Sequence, residues 1–214
     1  MAQQQKINPP IQFRLAKLPD ARALANLHYI CSIEQPDGFL YLLGRKFLTT
    51  YYRIILDNRS SLVICADAGD AGIVGLISVS VDAGEELKAL RNGRFRLLFS
   101  ALPTLIRQPR LISSVSVRAN SLSADEIGKG FVTGSGARLS FWGWSPDYPS
   151  QGQPTKLLQT ALKLLKTLGV KTIHLEVDRA NRKVEVFHRF MGGKVIDEFV
   201  TEDGRKRLIM EYQL

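Results

Sequence analysis

Residues 154–168 carry Leu157, Leu158, Ala161, Leu162, Leu164, Leu165 and Leu168 at helical spacing, with Lys156, Lys163 and Lys166 off that stripe. A one-sided apolar stripe of this kind reads as an amphipathic helix with a face to bury. Pro154 falls in its first turn, where a missing N–H costs nothing, and Gly169 ends it. Flanking it, residues 138–144 read as a strand, 145–153 as a loop and 171–177 (KTIHLEV) as an alternating strand. A short helix over 179–191 follows, closed by Gly192 and Gly193. A last hairpin joins 194–200 to 207–212 around Asp203-Gly204, a strong turn signal.

The N-terminal half fits the same class. Residues 12–18 alternate as an opening strand, and Pro19-Asp20 start a helix that runs to about residue 32. A Pro- and Gly-containing turn over 32–38 leads to a second helix over 39–57. Residues 61–66 and 72–82 read as a hairpin. Residues 83–117 are helical in composition, rich in Arg and Lys, and broken by Pro103 and Pro109. Residues 120–136 are Ser/Gly-rich and are expected to form a long mobile loop. The class is α/β (α+β), with a mixed sheet.

Composition bounds the function. A hydrophobic content of 45% and a charged content of 23% are ordinary for a globular domain. Cys31 and Cys65 have no metal-ligand spacing, so no metal site is expected, and two cysteines make no disulfide framework. A reduced, cytoplasmic protein fits. The N-terminus, with a flexible tail over 1–10, has no apolar core of a secretory signal. The longest apolar run, near residues 97–106, is about half of what a membrane span needs. The net charge of +9 admits a nucleic acid or an anionic cofactor as partner. The basic residues are dispersed and no RRM, KH or zinc-finger signature occurs, so nucleic acid is not expected.

The segment WSPDYPSQGQPTKLL, residues 144–158, joins a strand through a polar, Gly-containing loop to a helix N-terminus. Backbone N–H groups and the positive end of the helix dipole there form an anion site, and a glycine lets a phosphate approach the backbone closely.

This segment resembles the GNAT acetyltransferases, in which a Val-x-Pro strand end precedes Arg or Gln, two residues, Gly, one residue, Gly or Ala, and a leucine-rich helix. Here Trp144-Ser145-Pro146 stands at the strand end, Gly152 matches the first loop glycine, and Leu157-Leu158 match the helix. Pro149 replaces the Arg or Gln, and Pro154 the second Gly or Ala, each removing one backbone donor. The run from His174 to His188 is similar to the family's Leu-Glu-Val, three residues, Asn and a helix ending in Tyr. Asn181 matches the Asn, His188 the Tyr and Gly192 the following Gly. The spacing from Glu176 to His188 equals the family's spacing from its Glu to its Tyr. Residues 37–58 are similar to the second helix of members with a long Arg-rich helical insertion after the third strand, and residues 83–136 fit that insertion. The resemblance implies a single GNAT domain over 1–214, with a mixed, mostly antiparallel central sheet flanked by helices on both faces.

The resemblance implies an acetyl-CoA-dependent N-acyltransferase acting on a small amine, an amino sugar or a peptide. The cofactor would be held by Gly143, Trp144, Ser145, Ser150, Gln151, Gly152, Gln153, Pro154, Thr155 and Asn181. Asn181 is equally a plain helix N-cap. Glu176 is the candidate base, or a solvated strand carboxylate. His188 is the candidate acid for the departing thiolate, partly protonated at neutral pH, or a packed helix histidine. Gly143 is placed for a bulge that splays its strand. Glu34 and Asp37 are candidate acceptor-site carboxylates. A homodimer is compatible with these features. The alternative is a GNAT-fold module that has lost efficient catalysis and serves as a CoA sensor or partner-binding domain. The basic helices of 83–117 lack a clean polar face, which favours packing against the acceptor site over docking on a membrane or nucleic acid.

Overall fold

The computed structural model describes residues 10–33, 39–113, 135–201 and 204–214. Glu34 and Asp37, most of the loop expected over 120–136, and the N-terminal tail lie outside these residues.

The strands are β1 (Gln12–Leu15), β2 (Ser61–Asp67), β3 (Ile73–Ser80), β4 (Ala137–Trp144), β5 (Thr172–Asp178), β6 (Lys194–Val200) and β7 (Lys206–Gln213). They form one sheet in the order β1-β2-β3-β4-β5-β7-β6, antiparallel throughout except for the parallel pair β4 and β5. This is the expected α/β class, with a mostly antiparallel sheet and helices on both faces.

Helices α1 (Ala21–Ile33) and α2 (Gly44–Asp57) cover one face. Leu24, Leu27, Leu48, Tyr52 and Ile55 pack there against Val63, Cys65 and Leu76 of the sheet. Helix α5 (Gln153–Thr167) covers the other face, where Leu157, Leu158, Ala161 and Leu165 of the leucine stripe meet Ile77, Val79, Ile173, Leu175 and Met210. Burying each such side chain contributes roughly 1.5–3 kcal/mol. The short helix α6 (Arg182–Phe190) lies on this second face, through Val184, Phe187 and the following Met191. Several boundaries move inward from the expectation. The helix predicted from residue 39 opens as a 3-10 turn, Leu40–Leu43, before Gly44 at φ 88° starts the α-helix.

Residues 83–107 form two helices, α3 (Ala83–Asn92) and α4 (Arg94–Arg107). The break falls at Gly93, not at Pro103, which sits inside α4. A Cβ on Gly93 would lie 2.4 Å from Ile54 Cδ1, so glycine permits the close approach of this corner to α2. Pro103 is exposed on the far side, where the missing hydrogen bond faces water. Helix α4 packs on α2 and on the 3-10 turn, where Thr104 Oγ1 donates to Leu43 O at 3.0 Å. No helix among the described residues is long and apolar enough to cross a membrane.

Candidate active site

Strands β4 and β5 pair only at Ala137–Ile173 and Arg138–His174, then part. Beyond that point β4 stays with β3 and β5 stays with β7, leaving a wedge open between two parallel strands. A bulge in β4 marks the divergence. Ser78 pairs with Phe141 and Val79 with Leu139, so Ser140 is the extra residue. The expected bulge at Gly143 is therefore corrected to Ser140. Gly143 pairs in register with Leu76, and its missing side chain makes room for α1. A Cβ there would lie 3.0 Å from Cys31 Sγ and 2.9 Å from Phe141.

The bulge is held by a buried carboxylate. Glu86 of α3 accepts from Arg138 Nη2 at 2.9 Å, Ser140 Oγ at 3.1 Å and Ser61 Oγ at 2.9 Å. One extra residue reverses the facing of everything after it. Phe141 turns to the α1 face and stacks on His28 at 3.7 Å, while Trp142 turns to the other face and stacks on Phe187 of α6 at 4.8 Å. The Trp142 Nε1 is buried without a hydrogen-bond partner. Trp142 and the placing of the bulge at Ser140 were not legible in the sequence, because both depend on the distant Glu86.

At the mouth of the wedge, Ser145 N donates to Val74 O at 2.7 Å and Trp144 Nε1 to Tyr148 O at 3.0 Å, tying down the loop that leaves β4. Gln151 and Gly152 then take positive φ, 38° and 77°, and Gly152 caps α5. Of the first amides of α5, Gln153 donates back to Ser150 O and Pro154 has no hydrogen to give. Among the described residues no partner is found for the amides of Gln151, Gly152 and Thr155. The first turn of α5 carries no acidic residue. These amides and the helix dipole form a small cradle that favours an anion, and Pro149 and Pro154 thin it by two donors.

The two candidate catalytic groups stand on opposite faces of the sheet. Glu176 lies on the face away from Ile173, Leu175 and Val177, with Oε2 3.7 Å from Arg207 Nη1 and Oε1 buried without a hydrogen bond. His188 lies under the α6 face, with Nδ1 2.6 Å from Tyr212 Oη and the ring against Trp142 and Phe187. Burial pushes its pKa down to about 4. The expected partial protonation at neutral pH is thus corrected: the imidazole is neutral there. The same burial pushes the Tyr212 phenol up. Tyr212, at the end of the last strand, was missed because nothing local to it signals a histidine partner.

Asn181 caps α6, its Oδ1 accepting from Val184 N at 3.4 Å. Beside it an open cleft of ≈ 380 Å³ is lined by Asp178, Arg179, Ala180, Arg205 and Lys206. The Asp178 carboxylate is already engaged by Ala180 N at 3.0 Å and faces Arg205 at 3.6 Å. The cationic rim fits an anionic group better than an amine. Among the described residues no cluster of His, Cys, Asp and Glu could hold a metal.

No protein-family model matches the sequence, and no curated protein matches it. Solved structures do, and they define the class: this is the GNAT fold. An N-acetyltransferase from Thermoplasma acidophilum, solved with coenzyme A, is 17% identical, with 96% of this chain and 99% of that chain covered at a TM-score of 0.57. The ribosomal-protein-S18-alanine N-acetyltransferase of Escherichia coli is 13% identical, covering 95% and 94% at a TM-score of 0.56. An acetyltransferase of the GNAT family from Streptococcus pneumoniae is 15% identical, covering 96% and 100% at 0.57.

Proposed function

We propose that the chain is an N-acyltransferase moving an acetyl group from acetyl-CoA to a primary amine of a small molecule, an amino sugar or a peptide. The observation that carries this reading is the wedge between β4 and β5, opened by the Ser140 bulge and ending at the amide cradle of Gln151, Gly152 and Thr155. The cradle fits a pyrophosphate, with Ser150 and Thr155 hydroxyls adding to the amides that the prolines do not supply. Trp144, Ser145 and Gly143 would line the arm's path along β4, and Asn181 would meet it across the wedge. The bound cofactor supplies a thioester.

The chain's own groups then divide the proton work. Glu176, with one carboxylate oxygen unpartnered, takes the proton of the incoming ammonium from one face. The His188–Tyr212 pair would act on the cofactor's sulfur from the α6 side. Because the imidazole is neutral, it acts as a hydrogen-bond donor to developing thiolate charge, not as an imidazolium acid.

A second reading, a GNAT-fold module that binds CoA or a partner without efficient turnover, is favoured by one observation. Trp142 stacks on Phe187 beside the buried His188, so aromatic rings close the wedge on the α6 face.

Acetyl-CoA at millimolar concentration is expected to raise the melting temperature, since a ligand of the native state stabilises it. The absence of any shift sinks the enzyme reading. If acetyl-CoA binds, thiol release against a panel of amines separates the two readings, and His188→Phe is expected to lower turnover more than it weakens acetyl-CoA binding. Binding without thiol release for any amine leaves the second reading standing.

A further inference from the structure

Helix α4 has a broad apolar surface, and only part of it is covered. Ala101 and Leu105 are buried and Leu97 is half-buried against α2. At about 100° per residue, Phe95, Leu98, Phe99, Leu102 and Ile106 fall on the adjoining flank of the helix, centred roughly 115° round from that stripe. They are exposed there: Phe95 is 61%, Phe99 71% and Ile106 71% accessible. Packing on α2 thus takes up only part of the apolar surface of α4. Its outward ridge has no cover among the described residues.

The charges around the ridge identify its chemistry. Arg94 borders it on one side, with its guanidinium 5.1 Å from the Phe95 ring centroid, and Arg96 and Arg107 border it on the other. Residues 87–113 hold six basic residues, Lys88 and Arg91, Arg94, Arg96, Arg107 and Arg110, and no Asp or Glu. A contiguous apolar ridge between cationic margins suits the headgroup boundary of an anionic bilayer, where rings enter the acyl edge and guanidinium groups meet lipid phosphates. A nucleic acid would use the arginines but leave the phenylalanines in water. A second copy would bring two cationic margins together.

We infer that α4 is a peripheral membrane-docking element that lies in the interface of anionic membranes without spanning them. The inference is independent of catalysis, because none of these residues belongs to the wedge or the cradle.

Sedimentation of the full chain with phosphatidylcholine vesicles, with and without phosphatidylserine, tests it. Binding is expected only to the phosphatidylserine vesicles. Phe99→Ser/Ile106→Ser should lower partitioning by about a hundredfold, with an unchanged melting temperature because both side chains are exposed. Arg94→Glu/Arg107→Glu should abolish the preference for phosphatidylserine. Failure of the unmodified chain to bind overturns the inference, as does binding that survives the apolar double substitution. Loss of a concentration-dependent dimer in that variant, without vesicle binding by the parent, would assign the ridge to a second copy and overturn it equally.

Discussion

His28 and His188 are 4% and 2% exposed, and each is held by a tyrosine: His28 Nδ1 lies 2.8 Å from Tyr52 Oη, and His188 Nδ1 lies 2.6 Å from Tyr212 Oη. Burial pushes their pKa values down to about 3 and about 4, whereas an unfolded chain titrates them near 6.5. The native state thus keeps both rings neutral in a range where the unfolded state protonates them. Stability is fully present above pH 6.5 and falls as the pH drops toward the two folded values. Between pH 7 and pH 5 each histidine costs about 2 kcal/mol by linkage, about 4 kcal/mol together. That is a large part of a typical stability of about 5–15 kcal/mol. Urea unfolding at pH 7 and pH 5 measures the difference, in a window above most carboxylate titration. His188→Gln and His28→Gln keep a neutral partner for each tyrosine. Each should remove about half of the loss between the two pH values, whatever it costs at pH 7. Equal losses in the parent and in both variants would refute the reasoning.

Gly143→Ala places a methyl 3.0 Å from Cys31 Sγ and 2.9 Å from Phe141, so it should destabilise the fold by about 1–3 kcal/mol, read as a lowered melting temperature. Pro154→Ala restores an amide hydrogen to the first turn of α5. Calorimetric titration should then show acetyl-CoA bound roughly fivefold to tenfold more tightly, and an unchanged affinity would remove the cradle from the cofactor's path.

Element order was legible because each element announces itself locally. The leucine stripe of α5 and the alternation of β5 needed no distant partner to be read, and Gly169 and Gly192 take the positive φ of helix ends, 84° and 94°. Legibility stops where a contact between distant residues decides. Pro103 looked like a breaker and lies inside α4, because its missing donor points to water. Gly93 carries no local signal in the sequence, yet α3 ends there, at a corner where Ile54 of α2 leaves no room for a Cβ. The Ser140 bulge belongs to the same kind, since its position is set by Glu86, a residue of another element, through hydrogen bonds to Arg138 and Ser140.

That single displacement governs the candidate site. With the extra residue at Ser140, Phe141 joins His28 under α1 and Trp142 is delivered to Phe187 and His188. A bulge at Gly143 would instead have turned Phe141 and Trp142 the other way, leaving the α6 face of the wedge without its aromatic lining. The motif residues Glu176, Asn181 and His188 could be picked out by spacing. Their working relationship could not, because spacing along β5 and α6 says nothing about what β4 sends between them. The neutral state of His188 follows from that delivery. A ring that spacing alone presents as a proton donor is desolvated under Trp142 and Phe187, and it is left with a hydrogen bond to Tyr212 as its means of acting on charge.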